Sequence, residues 1–201
     1  MEAAKGLSAL LRTRGSDIVV LSALRTPVCR AYRGGLRNTY PEELLATVLE
    51  ETRRRFPGVG VDEVTVGVVL SELGGSKAAR AAACQAGFGA SETRLSTVNR
   101  ACASSLQAVA SVAAQLRVGD FEVGVAAGME SMTRNYGTRA VPSDAWPVLR
   151  ESGVKEARDC FMAMGLTAER VAARYGVSRQ AQDEFAAQSH QRAARARDEG
   201  R

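Results

Sequence analysis

The chain has 201 residues, 45% of them hydrophobic and 24% charged, enough for a packed core and ordinary for a globular domain. No apolar run reaches the ~20 residues that span a bilayer, and no apolar stretch followed by a small-residue cleavage site marks a secretory signal. The net charge of +5 suits an anionic small molecule. The arginines alternate with acids as on solvated helix faces, and no aromatic residues interleave them to stack on bases, which argues against nucleic acid.

Residues 1–16 read as a leader, with Ala3, Leu7, Leu10 and Leu11 at helical spacing among Lys5, Arg12 and Arg14. Asp17 to Leu24 is a continuous apolar run and reads as the first strand of a sheet covered on both faces. The glycine-containing loop that follows lacks the order of a phosphate-binding P-loop. Tyr40-Pro41-Glu42-Glu43 opens a helix, with proline early and acids at the positive end of the dipole. Leu44, Leu45, Val48 and Leu49 form its apolar face, and Pro57-Gly58 closes it. Val64 to Leu70 is the second strand, Ser71 to Ser76 a loop, and Lys77 to Gly87 an alanine-rich helix. Leu95 to Val98 is the third strand, and a helix follows to about Arg117. Val118-Gly119-Asp120 turns the chain into a fourth strand, Glu122 to Ala127. Strands alternating with helices give an α/β class. Beyond Gly128 no strand is expected. Thr133 to Val154 has no clean period, while Glu156 to Tyr175 and Ser178 to Glu199 read as helices, with Thr167 and Ser178 as N-cap candidates. The division expected is therefore 1–16 leader, 17–127 core and 128–201 helical segment.

The four cysteines, Cys29, Cys84, Cys102 and Cys160, are scattered, with no C-x-x-C pair and a single histidine, His190. That composition argues against a zinc site and for free thiols in a reducing compartment. Cys102 stands apart. It lies at a strand-to-helix junction, in Asn99-Arg100-Ala101-Cys102-Ala103-Ser104-Ser105. The unpaired N–H groups and positive dipole end of the new helix favour a thiolate and hence a nucleophile; the alternative at this point is a small buried residue, as free cysteines often are. Cys29, Cys84 and Cys160 read as structural. His190, among Gln188, Gln191 and Arg192, reads as a solvent-facing residue. Glu130 reads as a hydrogen-bond anchor for its loop, and Arg80 and Arg100 as partners of acids or holders of the sheet edge.

The stretch Asn99-Arg100-x-Cys102-x-Ser104-x-Leu106-x-Ala108 resembles the nucleophile motif of the thiolases, which make and break 3-ketoacyl-CoA thioesters. Other blocks agree in order: Arg25-Thr26-Pro27, Gly34-Gly35, Gly67-Val68-Val69-Leu70, Gly128-Met129-Glu130-Ser131-Met132, Met164-Gly165-Leu166-Thr167-Ala168-Glu169 and Ser178-Arg179-Gln180-x-Gln182-Asp183. Ala157-Arg158-Asp159-Cys160 and Ser131-Met132-Thr133-x-Asn135-Tyr136 resemble the peroxisomal 3-ketoacyl-CoA members. The resemblance implies a thiolase-like fold: a first βαβαβαβ half lacking its last strand, followed by a helical loop domain. It implies acyl transfer through an acyl-Cys102 intermediate in fatty acid β-oxidation. Met164 matches a pocket position of the family, and Met132 reads either as a second residue of the substrate channel or as core. Coenzyme A and acyl-CoA are the implied co-substrates, with no permanently bound cofactor and no metal. A homodimer is implied, and a peroxisomal location, with mitochondrion or cytoplasm as alternatives.

Two residues depart from the family pattern. Ser105 stands where the family has glycine and is expected to crowd the helix start, and Val68 replaces an asparagine. The family's Gly-His-Pro, Cys-x-Gly and Asn-Glu-x-Phe motifs, which supply the proton-transfer partners, do not occur in these residues. The competing expectation is a catalytically incomplete fragment that folds, dimerises or binds acyl-CoA. A ketoacyl synthase of the same fold is disfavoured by the blocks at Met164 and Ser178.

Overall fold

The computed structural model describes residues 13–136 and 144–200, which fall into two compact units, Met1–Ala140 and Val141–Arg201. In the first unit α1 runs Pro41–Arg55, β1 Glu63–Gly67, α2 Ser76–Gln85, β2 Arg94–Val98, α3 Ser104–Val118 and β3 Gly124–Gly128, with a short 3-10 turn at Glu72–Gly75 between β1 and α2. The three strands form a parallel sheet in the order β2-β1-β3. Glu63 pairs with Arg94 on one side and Gly124 on the other, and the register runs to Gly67 against Val98 and Gly128. Each strand reaches the next through a crossover that contains a helix, as parallel pairing requires.

α1 forms because Pro41 sits in its first turn, where a missing N–H costs nothing. Glu43 reaches back to the Tyr40 amide at 3.3 Å. Leu45 and Leu49, one turn apart, are each only 1% exposed. They join Val64 and Val66 of the central strand, Val68 just beyond it, Ala79, Ala82, Ala83, Ala86 and Phe88, and Met129 in one apolar cluster.

The other face of β1 meets α3. Alternation along the strand sends Glu63, Thr65 and Gly67 to that side. A side chain at Gly67 would begin 2.5 Å from the Ser105 amide nitrogen and 2.6 Å from the Ser104 carbonyl carbon, so glycine is what lets the helix start touch the strand end. Glu63 is buried, and its carboxylate accepts hydrogen bonds from Ser96 Oγ at 2.8 Å and Thr65 Oγ1 at 3.2 Å, with Arg94 Nε at 3.6 Å. A buried charge is tolerated when it is hydrogen-bonded and paired in this way.

The first expected strand does not form. Asp17 to Leu24 has no strand pairing, and Val19, Val20 and Leu21 are 70%, 77% and 73% exposed. An apolar run becomes a strand only where another strand offers its free edge. β1 is paired on both sides, and residues 17–24 take up neither edge left open by β2 and β3.

In the second unit α4 is Pro147–Arg150, α5 Lys155–Asp159, α6 Met164–Tyr175 and α7 Arg179–Asp198. The single helix expected over Glu156 to Tyr175 is two helices, because Ala163 is extended (φ −61°, ψ 136°) and caps α6. Thr167 therefore lies inside α6 rather than at its start. Ser178 does cap α7, its side chain accepting from the Ala181 amide at 3.1 Å. Residues 1–12 of the leader lie outside the described residues, as does part of the irregular stretch after Thr133.

Candidate active site

β2 ends at Val98 and α3 begins at Ser104, so residues 99–103 turn the chain from strand to helix. Ala101 has φ 48°, in the left-handed region, which costs a residue with a side chain about 1–2 kcal/mol. Local hydrogen bonds hold it there. Its amide donates to Asn99 Oδ1 at 3.0 Å. Its carbonyl accepts from Ser104 Oγ at 2.6 Å and from the Ser104 amide at 3.0 Å. Ser104 Oγ also accepts from the Arg100 amide at 2.8 Å, and Ser104 is buried at 3% exposure. Cys102 follows directly and is exposed. The cap residue Ala103 carries no side-chain acceptor, so nothing on it occupies the first-turn N–H groups of α3. Helix start and dipole together favour negative charge at the turn.

The strands are parallel, so the loops after β1, β2 and β3 leave one edge of the sheet, the edge where ligands of open α/β sheets bind. Glu130, just beyond β3, ties the loops after β1 and β3 together. Its Oε2 accepts from the Val69 amide at 3.3 Å and the Leu70 amide at 3.0 Å. Its Oε1 accepts from the Ser131 amide at 3.1 Å and Asn135 Nδ2 at 3.4 Å. Both carboxylate oxygens are thus engaged as acceptors, which makes Glu130 the loop anchor expected from the sequence and no free base. Asn99 Nδ2 donates to the Val69 carbonyl at 3.2 Å. The part played by Asn99 and Ser104 was not singled out in the sequence, although asparagine and serine bonding to nearby backbone is the usual signal of such a turn.

The two departures from the family pattern are accommodated. The Ser105 hydroxyl fills the space where a side chain on Gly128 would start, and its backbone lies against Gly67. The expected crowding is absorbed because both strand ends are glycine. Val68 is 1% exposed and packs against Gly75 and Met129, an apolar place that suits valine.

Met132 leaves the same sheet edge as Cys102 and is 47% exposed; Met164, the first residue of α6 in the second unit, is 70% exposed. Cys29, Cys84 and Cys160 are exposed too, which corrects the reading of them as structural. They are small residues on outer loop and helix positions, and Cys160 Sγ donates to the Glu156 carbonyl of its own helix at 3.3 Å. Exposure therefore does not distinguish Cys102; the turn does. Arg80 donates to the Thr93 carbonyl at 2.7 Å at the entry to β2, and Arg100 to Gln107 Oε1 rather than to an acid. His190 is exposed on α7. A cleft of about 450 Å³ lined by Asp62, Glu92, Arg94 and Asp120 opens at the strand starts, away from Cys102.

The family model described as the thiolase N-terminal domain matches residues 18–201. The chain is 44% identical over 191 residues to the peroxisomal 3-ketoacyl-CoA thiolase 2 of Arabidopsis thaliana, covering 90% of this chain and 39% of that one. It is 41% identical over 203 residues to the human peroxisomal 3-ketoacyl-CoA thiolase, covering 99% of this chain and 46% of that one. The chain thus spans less than half the length of these curated relatives. Among solved structures, the dimeric peroxisomal thiolase of Saccharomyces cerevisiae superposes with a TM-score of 0.84 at 35% identity, over 96% of this chain and 50% of that one. The Acat5 thiolase of Ascaris suum in complex with coenzyme A gives 0.67 at 28% identity, over 85% and 46%. By the extent of that match and by its fold, the chain belongs to the thiolase family.

Proposed function

We propose that this chain is the N-terminal part of a 3-ketoacyl-CoA thiolase, an acyltransferase of fatty acid β-oxidation, and that Cys102 is its nucleophile. The observation that carries the reading is the strand–turn–helix geometry: an exposed thiol on a strained, hydrogen-bonded turn ahead of α3, at the carboxyl edge of a parallel sheet. In this reading the Cys102 thiolate attacks the 3-keto carbon. The bond between C2 and C3 breaks, its electron pair leaves with acetyl-CoA as an enolate, and a proton completes that product. The acyl group stays on Sγ as a thioester. The thiolate of a second coenzyme A then attacks the thioester carbon, releasing acyl-CoA and the Cys102 thiolate. Backbone N–H groups near the helix start stabilise the oxyanions. Proton transfer needs a base, and in the family that base sits in motifs that residues 1–201 do not contain.

Residues 17–127 act as the core and 128–201 as the helical loop domain, with Met132 and Met164 as substrate contacts and 1–16 as a leader. Coenzyme A is the co-substrate, as the complex of the Ascaris relative supports, with no resident cofactor or metal. The whole protein works as a homodimer in the peroxisome, by analogy with the relatives so described.

The test is acylation in a single turnover. Mixing the chain with acetoacetyl-CoA and mapping the product by mass spectrometry should show an acetyl group on Cys102, lost in Cys102→Ala, with no multiple turnover from residues 1–201 alone. Acyl groups spread evenly over Cys29, Cys84 and Cys160 would refute the assignment. Binding of acyl-CoA without any acylation would favour the second reading, a fragment that only folds, dimerises or binds.

A further inference from the structure

We propose that Asn99 and Glu130 are positioning residues for Cys102, joined to each other through the backbone of Val69. The inference rests on the reading of Cys102 as the nucleophile and concerns what fixes it. The backbone ladder of the sheet stops at the strand ends: the Val68 amide donates to the Val98 carbonyl at 3.0 Å and the Met129 amide to the Gly67 carbonyl at 3.1 Å. Beyond these bonds the three loops diverge, and two side chains take over. Glu130 holds the Val69 amide from the β3 side. Asn99 holds the Val69 carbonyl from the β2 side and, with its other end, the Ala101 amide. Val69 has both of its backbone groups clamped, one by each side chain. The left-handed residue immediately before Cys102 is thereby tied to a carboxylate rooted in the loop after β3.

Core stability does not explain Asn99. It is exposed, and its amide group is spent wholly on backbone groups of the β1 and β2 loops. An exposed polar side chain that bridges two loops contributes little burial and much geometry. Removing it lets Ala101 relax toward ordinary backbone angles, and Cys102 swings with it.

The experiment is competitive alkylation of the 201-residue chain with limiting iodoacetamide at neutral pH, mapped by mass spectrometry, with Cys84 and Cys160 as internal references. In Asn99→Ala the rate at Cys102 relative to Cys84 should fall about tenfold, less than the hundredfold that a 1 Å misplacement near a reacting centre can cost. Asn99→Asp keeps an acceptor for the Ala101 amide but offers the Val69 carbonyl no donor, so it should recover only part of the loss and stay about threefold below the parent, the effect of one missing hydrogen bond; an Asn99→Asp chain as fast as the parent would show that the tie to Val69 is not used. Glu130→Ala should slow Cys102 as well, and the double variant should be no slower than Asn99→Ala, because residues in one network are not additive. The proposal is overturned if Asn99→Ala leaves the ratio unchanged, if the two single effects multiply in the double variant, or if Cys84 and Cys160 shift as much as Cys102. If Glu130→Ala does not fold, the two Asn99 variants decide alone. A parent Cys102 that reacts no faster than Cys84 overturns the nucleophile reading itself; a fast parent with an unchanged Asn99→Ala overturns only the clamp.

Discussion

Gly67→Ala is the substitution that tests how strand and helix meet. The added methyl would lie 2.5 Å from the Ser105 nitrogen, 2.6 Å from the Ser104 carbon and 2.8 Å from the Ser105 Cα. All three are backbone atoms of the first turn of α3, so no side chain can rotate away. Ordinary carbon contacts need roughly 3.5–4.0 Å, and the helix start must therefore retreat by about 1 Å. Overpacking of this kind costs about 1–3 kcal/mol. The control is Gly60→Ala, where nothing lies within 4 Å and φ is not positive; it should be neutral or slightly stabilising, by up to about 1 kcal/mol. Urea unfolding followed by circular dichroism measures both, because the single tryptophan, Trp146, lies outside the first unit. Gly67→Ala should also slow alkylation of Cys102, which stands two residues before the displaced turn. A Gly67→Ala chain as stable as the Gly60→Ala chain would refute the close approach of α3 to β1.

Leu45→Ala, at a residue 1% exposed in the main cluster, should destabilise the chain by about 2–5 kcal/mol, whereas Leu106→Ala, 71% exposed, should change stability by no more than about 0.5 kcal/mol; equal urea midpoints would contradict the placement of the core. Glu51 has its pKa lowered from 4.5 to about 2 by hydrogen bonds from Arg54 and Arg55 and by their charges. A folded-state value below the unfolded one means that the pairing stabilises above the unfolded pKa and is lost as pH falls through about 2. Carboxyl NMR should find the Glu51 midpoint well below 4, and a midpoint near 4.5 would show that the pair does not persist. His190→Ala, on an exposed face of α7, should alter neither stability, by more than about 0.5 kcal/mol, nor the acylation of Cys102. A large loss of acylation would reveal a base within this chain.

How much of this could be read from the sequence depends on whether the cause is local. Pro41, the Leu45 and Leu49 spacing, the serine cap at Ser178 and the strand–turn–helix at Cys102 are local signals, and the structure follows each one. Asp17 to Leu24 shows the opposite case. Its composition is that of a buried strand, but pairing is supplied by another segment, and composition carries no information about which edge is free. β1 also depends on its neighbours. Glu63-Val64-Thr65-Val66 alternates polar and apolar residues, and every residue from Glu63 to Gly67 is buried. The polar face is inside because Ser96, Thr65 and Arg94 satisfy the carboxylate, and that arrangement exists only once β2 lies beside β1. The break between α5 and α6 had no glycine or proline to announce it; Ala163 is extended there without a residue type that demands it.

The turn at Cys102 was legible because its cost and its support lie within six residues. Ala101 in the left-handed region loses about 1–2 kcal/mol. Asn99, two residues before it, and Ser104, three residues after it, form hydrogen bonds to both its amide and its carbonyl, each worth about 0.5–1.5 kcal/mol net. The strain is thus met by side chains that the same short stretch encodes, and the sheet has only to accept the result. It does so through Gly67 and Gly128, the two strand ends against which Ser104 and Ser105 rest. A larger residue at Gly67 would leave the local hydrogen bonds intact and still displace the thiol, because it meets backbone of the helix start; at Gly128 it would meet the Ser105 hydroxyl, which can rotate. The nucleophile motif is therefore incomplete as a local signal: it specifies the shape of the turn, while Gly67, distant in sequence, specifies where that turn sits.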